Sequence, residues 1–131
     1  MKLETANKSI NKSSKELFHF LEDVKNFEKL MPENISKFEI LGEDKFLFAL
    51  KGMPEIVLKT KEKTPYNKLV LGSASDKVPF TLTANIIEVS ENSSEVNLIF
   101  EGEFNVMMGM MIKGPITNFI NTLSENMGKA V

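Results

Sequence analysis

Early in the chain, apolar residues recur at helical spacing. Placed at about 100° per residue, Leu17, Phe20, Leu21, Val24, Phe27 and Met31 share one side, and Lys15, Glu16, His19, Glu22 and Asp23 lie opposite. The stretch opens with Ser13-Ser14-Lys15-Glu16, a capping box with Ser13 as N-cap and Glu16 reaching back. It stops at Pro32, which disfavours helix in the residue before it. Two short helices with a bend are predicted, following a weak opening strand.

From residue 35 to 104 the period changes to two, the mark of strands with one buried and one wet face. Six strands are predicted, at 35–41, 45–51, 55–63, 67–74, 79–89 and 94–105. Between them lie Gly42-Glu43-Asp44, Gly52-Met53-Pro54, Thr64-Pro65-Tyr66-Asn67, Ser75-Asp76-Lys77 and Ser90-Glu91-Asn92-Ser93, all of turn composition. The inner face takes Phe46, Phe48 and Leu50, then Ile56, Leu58, Thr60 and Glu62, then Phe80, Leu82, Ala84 and Ile86, then Val96, Leu98, Phe100 and Phe104. Lys59, Lys61 and Lys63 are expected to face water.

The last stretch returns to helical spacing. Met108, Met111, Ile112, Pro115, Ile116, Phe119, Ile120, Leu123 and Met127 form one broad face. Pro115 predicts either a kink or a short piece followed by a longer helix, and Gly128 a C-terminal stop. The economical packing is an α+β fold in which a curved antiparallel meander of about seven strands wraps round the long C-terminal helix.

Composition narrows what such a fold does. A chain of 131 residues with 42% hydrophobic residues and five prolines makes one domain, residues 1–131, with a real core. The absence of cysteine excludes disulfides, thiolate chemistry and cysteine-based metal sites, and a single histidine, His19, excludes sites needing two imidazoles. All 16 basic residues are lysine, against 18 acidic ones, for a net charge of −2. Nucleic-acid binders carry basic stripes and bidentate arginines, so no nucleic-acid partner is expected. The first ten residues lack a signal-peptide core, and no run of about 18 apolar residues occurs. A cytoplasmic protein with no stable membrane insertion is expected.

The segment Ile10-Asn11-Lys12-Ser13-Ser14-Lys15-Glu16-Leu17-Phe18, with Phe20-Leu21-Glu22-Asp23 and Phe27-Glu28-Lys29-Leu30-Met31-Pro32-Glu33, resembles the opening pattern of the SRPBCC or START-like superfamily. This is the helix-grip, birch-pollen-allergen-like fold, and the resemblance extends over nearly the whole chain. Many members carry tryptophan in the second helix, where this chain has Phe27 or Leu30. The resemblance implies a deep pocket between the concave sheet face and the long helix. Relatives use it for lipids, sterols, polyketides or aromatic molecules; a few are cyclases or dehydratases, and others bind proteins. Fold alone does not choose among these.

On this frame the expected function is that of a small carrier holding an apolar or amphipathic molecule. The expected walls are Phe48, Leu58, Leu82, Phe100, Met108, Met111, Ile112 and Phe119, with Thr60 and Glu62 as polar groups. Methionine is flexible and polarizable, which suits Met108 and Met111 to an adaptable wall, although such residues also fill ordinary cores. Met107 and Met110 are expected to be partly exposed. A carboxylate inside a pocket has a raised pKa and can act as acid or base, so Glu62 is the one clue to a cyclase or dehydratase-like enzyme. The plainer account is that its strand end opens to water or that a bulge shifts the register. A third reading is a protein-interaction module whose interior is filled by the ten phenylalanines, with a protein partner docking on the methionine-rich stretch or on an exposed sheet edge. His19 and Tyr66 read as a solvent-facing helix residue and a locally packed turn aromatic. The glycines are dispersed singles and the carboxylate pairs lie in turns or on an outer face, so no nucleotide, other cofactor or metal is expected.

Overall fold

The computed structural model describes residues 1–74 and 79–131. The turn expected at Ser75-Asp76-Lys77 lies outside the described residues. Two short strands, β1 (Lys2–Glu4) and β2 (Lys8–Ile10), precede helix α1 (Ser14–Glu22) and a 3-10 helix at Val24–Leu30. The meander follows as β3 (Ile35–Gly42), β4 (Lys45–Leu50), β5 (Ile56–Thr64), β6 (Lys68–Ser73), β7 (Phe80–Ser90) and β8 (Ser93–Gly102), and α2 (Val106–Ala130) closes the chain. The strands form one antiparallel sheet in the order β1-β8-β7-β6-β5-β4-β3, with β2 also paired to β8.

Among the described residues the sheet has eight strands, in keeping with the expected meander of about seven, the opening strand being interrupted at Thr5. The Thr5 N–H donates to the Leu98 carbonyl and its hydroxyl accepts from the Leu98 N–H, both at 2.9 Å. One buried threonine therefore satisfies both backbone groups of Leu98 where the chain steps between β1 and β2. Thr5→Val leaves a buried donor without a partner and is expected to cost about 1–3 kcal/mol. Urea denaturation reads this directly, and a loss below about 0.5 kcal/mol would put the donor's satisfaction elsewhere.

Helix α1 begins as expected, with the Glu16 N–H donating to Ser13 Oγ at 3.1 Å. The return contact of the box runs from Ser13 Oγ to the Glu16 carboxylate at 3.4 Å. Leu17, Phe18 and Leu21 are buried, joined by Val24, Phe27 and Leu30 of the 3-10 helix. Phe20 and Met31 are only half-buried. Phe18 and Leu30 are buried in their place: α1 ends at Glu22 with its face set by Leu17, Phe18 and Leu21, and the stripe does not run on at one helical period into the 3-10 helix. Asn126 of α2 donates to the Leu30 carbonyl at 2.8 Å, closing that helix end.

The expected alternation holds through β4, β7 and β8, and in β5 as far as Thr60. α2 is one continuous helix through Pro115. The proline removes only one backbone donor, and it sits at an exposed position. Gly128 does not stop the helix; a Cβ there would meet Lys8 Cε at 3.1 Å, so the glycine serves close packing against β2. The two halves of α2 differ. Ile116, Phe119, Ile120, Leu123 and Met127 are buried against the concave sheet and the 3-10 helix, whereas Val106, Met107, Met110 and Met111 are exposed.

Candidate functional site

The difference between the two halves of α2 leaves space under the first. A cavity of about 480 Å³ lies between that half and the concave face at β4, β5, β7 and β8. Its floor is Phe48, Leu58, Leu82 and Phe100, the inward residues of those four strands. Its roof is Met108, Met111, Ile112, Ile116 and Phe119. The connection from β4 to β5, Gly52 to Glu55, forms a side wall. Gly52 takes φ of +82°, a conformation glycine adopts without strain, and so turns Met53 back to donate to the Leu50 carbonyl at 3.0 Å.

Aromatic pairs stiffen both ends. Phe48 and Phe119 stack with centroids 4.8 Å apart and planes 7° from parallel, tying floor to roof. Phe80 and Phe104 flank Phe100 at 5.2 and 6.0 Å. Phe104 lies beyond the end of β8, yet it folds back over Gly102, where any Cβ would stand 2.9 Å from its ring. Ser73 also lines the cavity, and no buried side-chain polar atom among the described residues lacks a partner. The interior is therefore apolar and its walls are satisfied among themselves.

Eight of the residues expected at the site line this cavity: Phe48, Leu58, Leu82, Phe100, Met108, Met111, Ile112 and Phe119. Thr60 and Glu62 do not. Thr60 still pairs with inward Leu71, but a bulge follows, and Glu62 pairs with outward Val70. Its carboxylate lies 3.2 Å from Lys68 Nζ on the solvent side of the sheet. The same bulge places Lys63 opposite Leu69, where it stays exposed, as expected, and lies 3.7 Å from Glu22 of α1. The enzyme-like clue at Glu62 thus loses its access to the cavity. This is the plainer of the two accounts of Glu62, a bulge that shifts the register: beyond Leu58 no apolar side chain in β5 pins it. The missed wall residues Met53, Ile56, Phe80, Phe104 and Ile116 are apolar, and the strand and helix patterns already marked most of them as inward.

His19 is remote from the cavity. Its Nδ1 lies 2.7 Å from Glu22, and its ring meets Tyr66 edge-on at 5.6 Å, with Tyr66 also packed on Phe18. Met107 and Met110 are 75% and 77% exposed and stand outside the cavity, as expected. Among the described residues no group of three or more His, Cys, Asp or Glu side chains could hold a metal ion. Nor, among them, is any helix long and apolar enough to cross a membrane.

Glu55, at the entry to β5, belongs to an ion-pair group on the outer face of the sheet. Lys37 donates to it at 3.0 Å and lies 3.9 Å from Glu39. The hydrogen bond to Glu55, then the charge of Glu55 and to a lesser degree that of Glu39, raise the Lys37 pKa above its ordinary value. A second groove of about 490 Å³ lies on the far side of Met53 and Phe119, with Lys51, Asn34, Asn118 and Thr122 along it.

No family model matches the sequence, and no curated protein matches it. Solved structures do match in shape. Norcoclaurine synthase from Thalictrum flavum superposes with a TM-score of 0.75 at 12% identity, over 98% of this chain and 86% of that one. A protein from Thermus thermophilus gives 0.74 at 10% identity, over 99% and 96%. A START superfamily protein from Mycobacterium smegmatis gives 0.71 at 10% identity, over 98% and 94%. The curved sheet, the gripped C-terminal helix and these superpositions agree: the chain has the START-like helix-grip fold.

Proposed function

We propose that the protein is a soluble cytoplasmic carrier that holds an apolar or amphipathic small molecule between the sheet and the first half of α2. The observation that carries this reading is the cavity itself. At about 480 Å³ it falls within the size range of small-molecule sites, and its lining is apolar. A core built only for stability fills such space, because each void forfeits packing energy. Here ten phenylalanines and eight methionines were available to fill it, and the space stays open. The methionine roof is adaptable, which suits a ligand that must enter and leave.

The neutral fluorophore N-phenyl-1-naphthylamine tests this. The chain has no tryptophan and one tyrosine, so emission reports the probe. Saturable binding of one probe per chain is expected, together with a small apolar companion released from freshly purified protein in native mass spectrometry. Absence of saturable probe binding would overturn the reading.

A further inference from the structure

We propose that two copies of the chain associate edge to edge through β3, antiparallel about a two-fold axis at Phe38. β3 is the last strand of the sheet, and no strand among the described residues pairs with its outer side. A free edge presents a row of backbone N–H and C=O groups that another strand can pair with. This one also carries apolar side chains in water: Ile40 and Leu41 are 37% and 43% exposed, and Phe38 is only half-buried. No residue of β3 lines the cavity, so the association is separate from ligand binding.

The order of charges along the strand points to a second copy as the occupant. Paired residues in an antiparallel ladder share one face of the sheet, so β3 can pair with itself symmetrically only about a residue, not between two. Lys37 and Glu39 lie on the outer face with Glu55. Centred on Phe38, the pairing sets Lys37 of each copy opposite Glu39 of the other, and the four charges alternate in sign round the axis. Opposite charges directly across a strand pair stabilise it, and like charges oppose it. Centring on Lys37 or on Glu39 would instead put like charges against each other on the axis. The apolar end agrees with the Phe38 register, since Ile40 and Leu41 then come against Ser36 and Ile35 of the second copy. A lysine on an edge strand ordinarily guards it against pairing. Here the glutamate two positions on turns that guard into a match for the same strand. Bulges between Ile35 and Lys37 and between Ile40 and Gly42 bound the regular stretch, so the contact is short. The opposite edge of the sheet consists of β1 and β2, three residues each, so pairing closes at two copies instead of growing into a fibre.

Sedimentation equilibrium between about 10 µM and 1 mM tests this. So short a contact belongs with the small, weak interfaces, and a dimer with a Kd on the order of 0.1 mM is expected. Lys37→Glu or Glu39→Lys alone sets like charges against each other twice across the axis, and each is expected to weaken the dimer about tenfold. Mixed in equal amounts, the two variants place carboxylate against ammonium at both positions. A heterodimer within about threefold of the parent Kd is therefore expected, and its advantage over either variant alone should shrink as salt is raised. Repair within one chain cannot produce a gain that requires mixing. A protein that stays monomeric to 1 mM overturns the proposal. So does a dimer whose Kd neither variant changes, or a mixture that associates no more tightly than its components.

Discussion

Phe46→Ala is expected to destabilise the protein by about 3–5 kcal/mol, a loss larger than that from Thr5→Val. Phe46 is completely buried and does not line the cavity. Its ring stacks on Phe27 of the 3-10 helix at 5.2 Å and on Phe38 of β3 at 5.4 Å, and it stands 6.1 Å from Phe48 of β4. Truncation removes the apolar area, opens a void where none existed and breaks ring pairs worth about 0.5–1.5 kcal/mol each beyond area. A domain of this size is stable by about 5–15 kcal/mol, so the loss is a large fraction of the total. Urea denaturation at unchanged m would measure it, and a value below about 2 kcal/mol would mean that the rings are not what fastens β3 and the 3-10 helix to the sheet.

The position of Phe46 was legible in the sequence, and so was most of the architecture. Residues that alternate with large apolar anchors keep their predicted face: Phe46, Phe48 and Leu50 in β4, Leu82, Ala84 and Ile86 in β7, Val96, Leu98 and Phe100 in β8. The same alternation, joined to the helical period of α2, marked the floor and roof of the cavity. What escaped depends on contacts distant in sequence. The bulge after Thr60 lies in Lys61-Glu62-Lys63, where every side chain is polar and either face is tolerated. Lys61 resolves it by laying its stem over Gly72, whose missing side chain leaves the room. The break at Thr5 is set by Leu98, more than ninety positions away.

That the cavity is an open site rather than a packing defect leads to the second large effect: Ile112→Trp is expected to weaken naphthylamine binding about thirtyfold. Ile112 lies on the roof, only partly buried, in the half of α2 that stands over the space. A tryptophan there swings its indole into the opening and displaces about 80 Å² of ligand contact, which at about 25 cal/mol per Å² amounts to about 2 kcal/mol. The same ring adds buried apolar surface to the free protein. Its Tm should therefore change by less than about 4 °C, because no packed neighbour has to be displaced. Met110→Trp is the matched control. Met110 is 77% exposed and does not line the cavity, so the same indole on the outer face of the helix should leave binding within about twofold of the parent. Overpacking of a closed core would instead lower the stability of Ile112→Trp by about 1–3 kcal/mol, whatever became of the probe. A folded Ile112→Trp protein that binds as tightly as the parent would place the ligand elsewhere. Loss of binding with stability retained ties it to the space between the sheet and the first half of α2, where the helix gives up packing that its second half keeps.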